Sequence, residues 1–227
     1  MKTRKTLYCI LDTETRGGTA CPNGVYNAGG KIIDNTGKTY ATFNYLVAEY
    51  FETIIDQAHY GKKTFPRYLE MRDAGEITVV ASEAEMLNMI ESLLSFYNVQ
   101  FVLAYNSAFD LTKTSLCHLI DNRQFIDIWQ MAYEIYIHRP SYRKFCIENR
   151  LLTRAGNPQQ GVEAMYAFLT NNPTFQEEHT AFSDANQEAE IFLACLRQHK
   201  KYTKKFHRGV VFEKYKKKGG NPLFFSI

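Results

Sequence analysis

Several things are scarce or missing in this sequence, and each absence removes a class of protein. No stretch approaches the roughly 18 to 20 consecutive apolar residues that a membrane-spanning helix needs. Five cysteines, Cys9, Cys21, Cys117, Cys146 and Cys195, are odd in number and scattered, with no Cys-x-x-Cys pair. That pattern speaks against a zinc or dithiol centre of the usual spacing and fits a reduced, cytoplasmic setting better than a disulfide framework. Repeats and low-complexity tracts are absent too. With 45% hydrophobic and 22% charged residues in 227, the chain is expected to build a self-supporting core rather than remain disordered. The opening MKTRKTLYCILDTET begins like a signal peptide, but its apolar run Leu7–Leu11 ends at Asp12. That run is too short for a signal core, so it reads as a first strand.

A strong excess of charge of one sign is also lacking, since the net charge is only +3. The average conceals a division. Residues 197–220 hold ten basic side chains against Glu213 alone, a local balance of +9 that leaves −6 on the rest. An acidic body with a basic extension points to polyanion partners, bound cations, or both.

What is present is an alternation of strands and helices. Thr6–Leu11 reads as a buried strand that delivers Asp12 and Glu14 at its end, and a loop through Gly17, Gly18, Pro22, Asn23 and Gly24 follows. Val25–Ile33 and Thr39–Val47 are strands joined by the turn Asp34-Asn35-Thr36-Gly37, which gives three antiparallel strands in succession. Residues 48–80 read as a variable insertion or lid, with a short helix over Glu49–Gln57 and a basic cluster of Lys62, Lys63 and Arg67 around Pro66.

Ser82 and Glu85 form a capping box for a helix running to about Tyr97. The strand Phe101–Tyr105, a helix over 108–121, a strand over 125–128 and a helix over 129–137 then argue for parallel pairing. Helices are expected at Tyr142–Arg150, at Val162–Thr170, and from Asp184 to about Lys205. The fold class is α/β, with a mixed five-stranded sheet flanked by helices. Residues 1–200 form one domain, and 201–227 are a basic extension with a short apolar end.

The chemistry gathers at three places. Asp12 and Glu14 lie one residue apart, so the period of a strand puts both carboxylates on one face, where they can grip a hard cation. By itself such a pair is weak, because chance supplies roughly half a match in a chain of this size. Asn106-Ser107-Ala108-Phe109-Asp110 follows another buried strand and delivers a second carboxylate where ligand sites of open α/β sheets collect. His179-Thr180-Ala181-Phe182-Ser183-Asp184 sets a histidine five positions before an aspartate that opens the last long helix. Helix capping would account for Asp110 or Asp184 alone, but not for all three patterns in this order.

Asp12-Thr13-Glu14-Thr15, Asn106-x-x-Phe109-Asp110 and His179-x-Ala181-x-x-Asp184 resemble the three motifs of the DEDDh, or DnaQ-like, 3′-to-5′ exonucleases of the ribonuclease H-like superfamily. The resemblance covers about residues 6 to 200, and the stretch Tyr166–Glu190 is similar to exonucleases encoded by bacterial viruses. Arg16 stands where many relatives carry threonine or an apolar residue, and residues 48–80 and 202–227 have no counterpart.

The resemblance implies two Mg²⁺ or Mn²⁺ ions held by Asp12, Glu14, Asp110 and Asp184. Asp12 would be shared between them, and His179 would be the general base. Oxygen-only ligands suit these ions, and an imidazole with an ordinary pKa of about 6.5 can take a proton at neutral pH. A loop position would let that imidazole swing in when a 3′ end is bound. Thr13, Thr15, Asn106, Phe109, Lys62, Lys63 and Arg67 are candidate nucleic-acid contacts.

Asp127 reads as the cap of the helix that follows it, and His59, His118, His138, His199 and His207 show no ligand spacing. The basic extension is either a solvated tail or a salt-sensitive phosphate contact, and its apolar end could dock on the chain's own body or on a replication partner. Three functions stay open at this stage. They are a 3′ exonuclease on single-stranded or frayed DNA, an exoribonuclease or oligoribonuclease with the same chemistry, and a non-catalytic nucleic-acid or replisome-binding module.

Overall fold

A computed structural model describes residues 5–16, 24–51, 61–107, 109–110, 114–116 and 123–198, though not the side chain of Lys62. Six strands form one mixed sheet: β1 Leu7–Thr15, β2 Val25–Asp34, β3 Thr39–Val47, β4 Thr78–Val80, β5 Phe101–Ala104 and β6 Gln124–Asp127. Their order is β4-β3-β2-β1-β5-β6. The pairs β1–β2 and β2–β3 are antiparallel, while β3–β4, β1–β5 and β5–β6 are parallel. The expected antiparallel trio and parallel half are both present, and the sheet has six strands rather than five. The addition is β4, three residues that pair with the end of β3 inside the region read as an insertion.

The helices are α1 Ala48–Phe51, α2 Gly61–Asp73, α3 Glu83–Phe96, α4 Ile128–Ala132, α5 Pro140–Glu148, α6 Val162–Thr170 and α7 Ala181–Gln198. The single helix expected over 129–137 is instead α4 followed by a π-helical turn, Tyr133–Ile137. Most of the expected helix over 108–121, most of the one over Glu49–Gln57, the loop residues 17–23 and the extension 201–227 lie outside the described residues. No described helix is long and apolar enough to cross a membrane.

Period-2 alternation along β1 divides the core. Tyr8 and Ile10 pack with Leu103, Ile126, Met165 and Phe192 under α4 to α7, whereas Cys9 and Leu11 pack with Ile32, Val102, Met86, Ile90 and Leu94 under α3. Asp12 and Glu14 continue the Tyr8–Ile10 face, so they emerge toward α7. On α3 the capping box forms as expected, with the Glu85 N–H donating to Ser82 Oγ at 3.2 Å and the Ala81 N–H donating to Glu85 Oε2 at 2.7 Å. Asp34 shapes the β2–β3 turn, accepting from the Thr36 N–H at 2.9 Å and the Lys38 N–H at 3.2 Å, while Gly37 supplies φ +89°.

The insertion is ordered where it is described. Helix α2 buries Tyr68 and Met71 with Tyr26, Leu46 and Ile77 in a third cluster against the antiparallel end of the sheet. Pro66 lies inside it, where it can donate no backbone hydrogen bond to the preceding turn.

Candidate active site

The site is assembled where β1, the turn after β5 and the start of α7 meet. Helix α7 approaches the sheet unusually closely because both surfaces are small there. Ala181, Ala185 and Ala189 are buried along the helix, and Gly29 lies beneath its first turn. A Cβ on Gly29 would sit 2.1 Å from the Phe182 nitrogen and 2.5 Å from the Ala181 carbonyl carbon. Gly29 is also the register partner of Asp12, so the bare glycine lets Asp184 reach Asp12. Gly29→Ala is expected to destabilise the fold by about 1–3 kcal/mol through overpacking and to lower activity by lifting α7. Urea unfolding of the variant checks the first effect.

Asn27 fixes the helix start. Its Oδ1 accepts from the Ala181 N–H at 2.9 Å and the Tyr68 hydroxyl at 3.0 Å, while its Nδ2 donates to Asn44 Oδ1 at 3.0 Å and the Tyr45 carbonyl at 2.8 Å. One of the orphan amides of the first turn is thus capped from the sheet rather than from a local side chain. For that reason α7 begins three residues before Asp184, the residue where its start was expected.

Five sequence-predicted residues converge. Ligand atoms of Glu14, His179 and Asp184 all lie within 4.8 Å of one another. Asp110 receives a hydrogen bond from the Thr13 hydroxyl at 2.7 Å, and its charge acts on Asp12. Thr13 is therefore engaged with a site carboxylate. The imidazole of His179 is already beside Glu14 and Asp184, not swung away, and its backbone adopts φ +56°. Glu177 stands behind it, with Oε2 3.9 Å from Nδ1.

Asn106, also left-handed at φ +61°, donates its N–H to Asp127 Oδ1 at 3.1 Å. Asp127 caps α4 through the Trp129 N–H at 2.9 Å, so it acts structurally as expected and also steadies the turn leading to Asp110. Phe109 is 40% exposed beside Asp110, leaving an aromatic surface at the rim. Next to Asn106, a depression is lined by Tyr105, Trp129, Gln160 and Gly161.

The remaining candidates are not brought to this centre by any described contact. Lys63 is exposed on α2, Arg67 pairs with Glu70 at 3.7 Å and Glu76 at 3.3 Å, and Thr15 sits at the irregular end of β1.

Besides Glu177, two participants escaped the sequence reading. Tyr26 reaches Glu14 with its hydroxyl 3.5 Å from Oε2. Glu188, one turn beyond Asp184, is only 2% exposed and faces Asp12 and Asp110. The spacing of four residues from Asp184 was the available signal.

Electrostatically the cluster is strained without a counter-ion. Burial, then Asp110, pushes the Asp12 carboxyl up to about 8; burial pushes Asp110 up to about 7; and burial followed by Asp12 raises Asp184, Glu14 and Glu188. Among the described residues no lysine or arginine pairs with any of these five carboxylates. Asp184 Oδ1 and Glu188 Oε2 are buried without a hydrogen-bond partner. Orphaned carboxylate oxygens in an otherwise anionic cleft suit hard divalent cations such as Mg²⁺ or Mn²⁺.

A pH dependence follows. Folding raises these pKa values, so the folded chain binds more protons than the unfolded one. The associated stability is whole below the pKa of an unfolded carboxylate, about 4, and is lost as pH rises through about 7 for Asp110, about 8 for Asp12 and about 10 for Asp184. In chelator the melting temperature is therefore expected to fall between these limits. Added Mn²⁺ should raise it more at pH 8 than at pH 5, as thermal melts would record.

No protein-family model matches the sequence, and no curated protein does. Solved structures do match in fold. A full-length 3′-exonuclease aligns over 86% of this chain and 62% of its own, at 13% identity and a TM-score of 0.53. E. coli exonuclease I with a dA16 oligonucleotide aligns over 86% of this chain and 41% of its own, at 14% identity and a TM-score of 0.53. The zinc-bound form of the E. coli ExoI–ssDNA complex aligns over 89% and 43%, at 13% identity and a TM-score of 0.54. The chain spans less than two thirds of the length of each. What it shares with these exonucleases is the fold, a mixed α/β sheet flanked by helices.

Proposed function

We propose that the chain is a metal-dependent 3′-to-5′ exonuclease that removes nucleoside 5′-monophosphates from single-stranded or frayed DNA. The observation that carries this reading is the convergence of Asp12, Glu14, Asp110, His179 and Asp184 from three separate segments into one anionic centre. Further support comes from exonucleases of the same fold solved with a dA16 oligonucleotide or with single-stranded DNA. Kinship with DnaQ-like and virus-encoded enzymes rests on the motif spacing and the stretch Tyr166–Glu190.

Two divalent cations, when bound, would acidify the attacking water and offset charge on the leaving oxygen. Glu14 and Asp184 would hold one and Asp110 the other, with Asp12 placed between them to serve both. Asp110 is kept in position by Thr13, and Glu14 by Tyr26. His179, backed by Glu177, accepts the proton of the water that attacks the terminal phosphodiester. The bond from phosphorus to the 3′ oxygen breaks, and that oxygen takes a proton from solvent. Phe109 offers its exposed ring to an unpaired base near the 3′ end. The extension 201–227, with its basic residues, would add phosphate contacts or dock a replication partner.

A matched panel of end-labelled single- and double-stranded DNA and RNA tests the substrate. Faster digestion of single-stranded DNA supports the reading. Faster digestion of RNA would shift it to an exoribonuclease with the same chemistry, and binding without digestion to a non-catalytic module.

A further inference from the structure

Glu188 belongs to none of the three motifs, yet it is among the most buried carboxylates of the molecule. It lies on α7 one turn after Asp184 and is 2% exposed. The Tyr105 backbone N–H is directed at its carboxylate from the end of β5, which anchors the side chain beside the turn that carries Asp110. The second oxygen, Oε2, is sealed from solvent and has no hydrogen-bond partner. The charges that act on Glu188 most strongly are those of Asp12 and then Asp110, ahead of Asp184. Held from Tyr105, just past the end of β5, the Glu188 carboxylate lies toward the turn that carries Asp110.

A carboxyl group so deeply buried among other carboxylates either takes up a proton or stays ionised beside a cation. The neighbouring Asp184 Oδ1 is orphaned in the same way, and two orphaned acceptors one helical turn apart, both in an anionic cleft, are what a pair of cation sites would leave when emptied. Asp12 and Asp110 alone give a hard cation two carboxylates, whereas Glu14, Asp184 and the shared Asp12 give the other ion three. A donor from Glu188 would even that count. Gln187 Oε1, on the same turn of α7, is also buried and unpartnered.

We infer that Glu188 is a fifth carboxylate of the centre, donating an oxygen to the divalent cation held by Asp12 and Asp110. The inference rests on the two-cation reading above and extends it to a residue outside the motifs. Glu188 is then a cation ligand that selects for tight binding of the second ion and leaves the first untouched.

Mn²⁺ binding to the full chain, followed by electron paramagnetic resonance and calorimetry without nucleic acid, provides the test. The wild type is expected to bind two ions. Glu188→Gln, nearly isosteric, should weaken one of them by about 10- to 100-fold and leave the other unchanged. Glu190→Gln, exposed on the same helix, should change neither. Unchanged affinity for both ions in Glu188→Gln overturns the inference, as does an equal loss at both, which marks a general charge effect. Should Glu188→Gln fail to fold, Glu188→Asp carries the test. It keeps the charge but withdraws the oxygens by one methylene, and it should weaken the same single ion, whereas wild-type binding overturns the inference. A wild type that binds no Mn²⁺ would instead remove the two-cation reading itself.

Discussion

Replacing His179 with alanine is expected to lower turnover by about 10²- to 10⁴-fold, the usual loss when a positioned general base is removed. Affinity for cations and for single-stranded DNA should survive, because every carboxylate of the centre remains. The imidazole lies beside Glu14 and Asp184, where a water attacking the phosphodiester would be held, and Glu177 Oε2 is 3.9 Å from its Nδ1. The acidic limb of the pH–rate profile, where a general base becomes protonated, should disappear along with the rate. If His179 merely shaped the loop through its φ of +56°, His179→Asn, which tolerates that backbone, would restore activity. Steady-state kinetics on both variants separate the two roles, and activity restored by asparagine would remove histidine from the chemistry.

The second large effect is expected at Asp12. Asp12→Ala should reduce turnover by more than about 10³-fold, since each 1.4 kcal/mol of barrier is a decade and cations contribute several kcal/mol. The position is central in a literal sense. Asp110, Asp184, Glu14, Glu177 and Glu188 all interact with its charge. The same variant should unfold less readily than the wild type in chelator at pH 8, because it relieves that repulsion. Lost catalysis with gained stability is a combination that a purely structural role would not produce, and paired melting and activity measurements show it directly.

The parts of this molecule that are legible in its sequence are those whose cause is local. Asp12 and Glu14 follow an apolar run, Ser82 and Glu85 cap the helix they precede, and the turn around Gly37 is written in four residues. Parts whose cause is distant were missed or displaced. Helix α7 starts early because Asn27, 154 residues away, caps it from β2. Strand β4 exists only because the end of β3 offers an edge; three residues carry no pattern of their own.

Helix α2 contains Pro66 and two lysines within the stretch read as an insertion or lid, but Tyr68 and Met71 find a third core that sequence alone does not reveal. Gly29 stood inside a strand, where glycine marks a close approach, but what approaches it comes from the far end of the chain. Glu188 carries no motif of its own, and only the packing of α7 against the sheet buries it near Asp12. The catalytic letters were readable, whereas the scaffold that brings them together depends on contacts between residues far apart in sequence.

The most direct test of metal-dependent hydrolysis at 3′ ends uses a 5′-labelled single-stranded DNA with Mn²⁺, comparing the wild type and Asp12→Ala with and without chelator. Stepwise shortening from the 3′ end, release of nucleoside 5′-monophosphates, and silence in both the chelated and the Asp12→Ala reactions are the expected results. An intact substrate under conditions where Mn²⁺ and DNA are both bound, or degradation that persists in chelator, would contradict it.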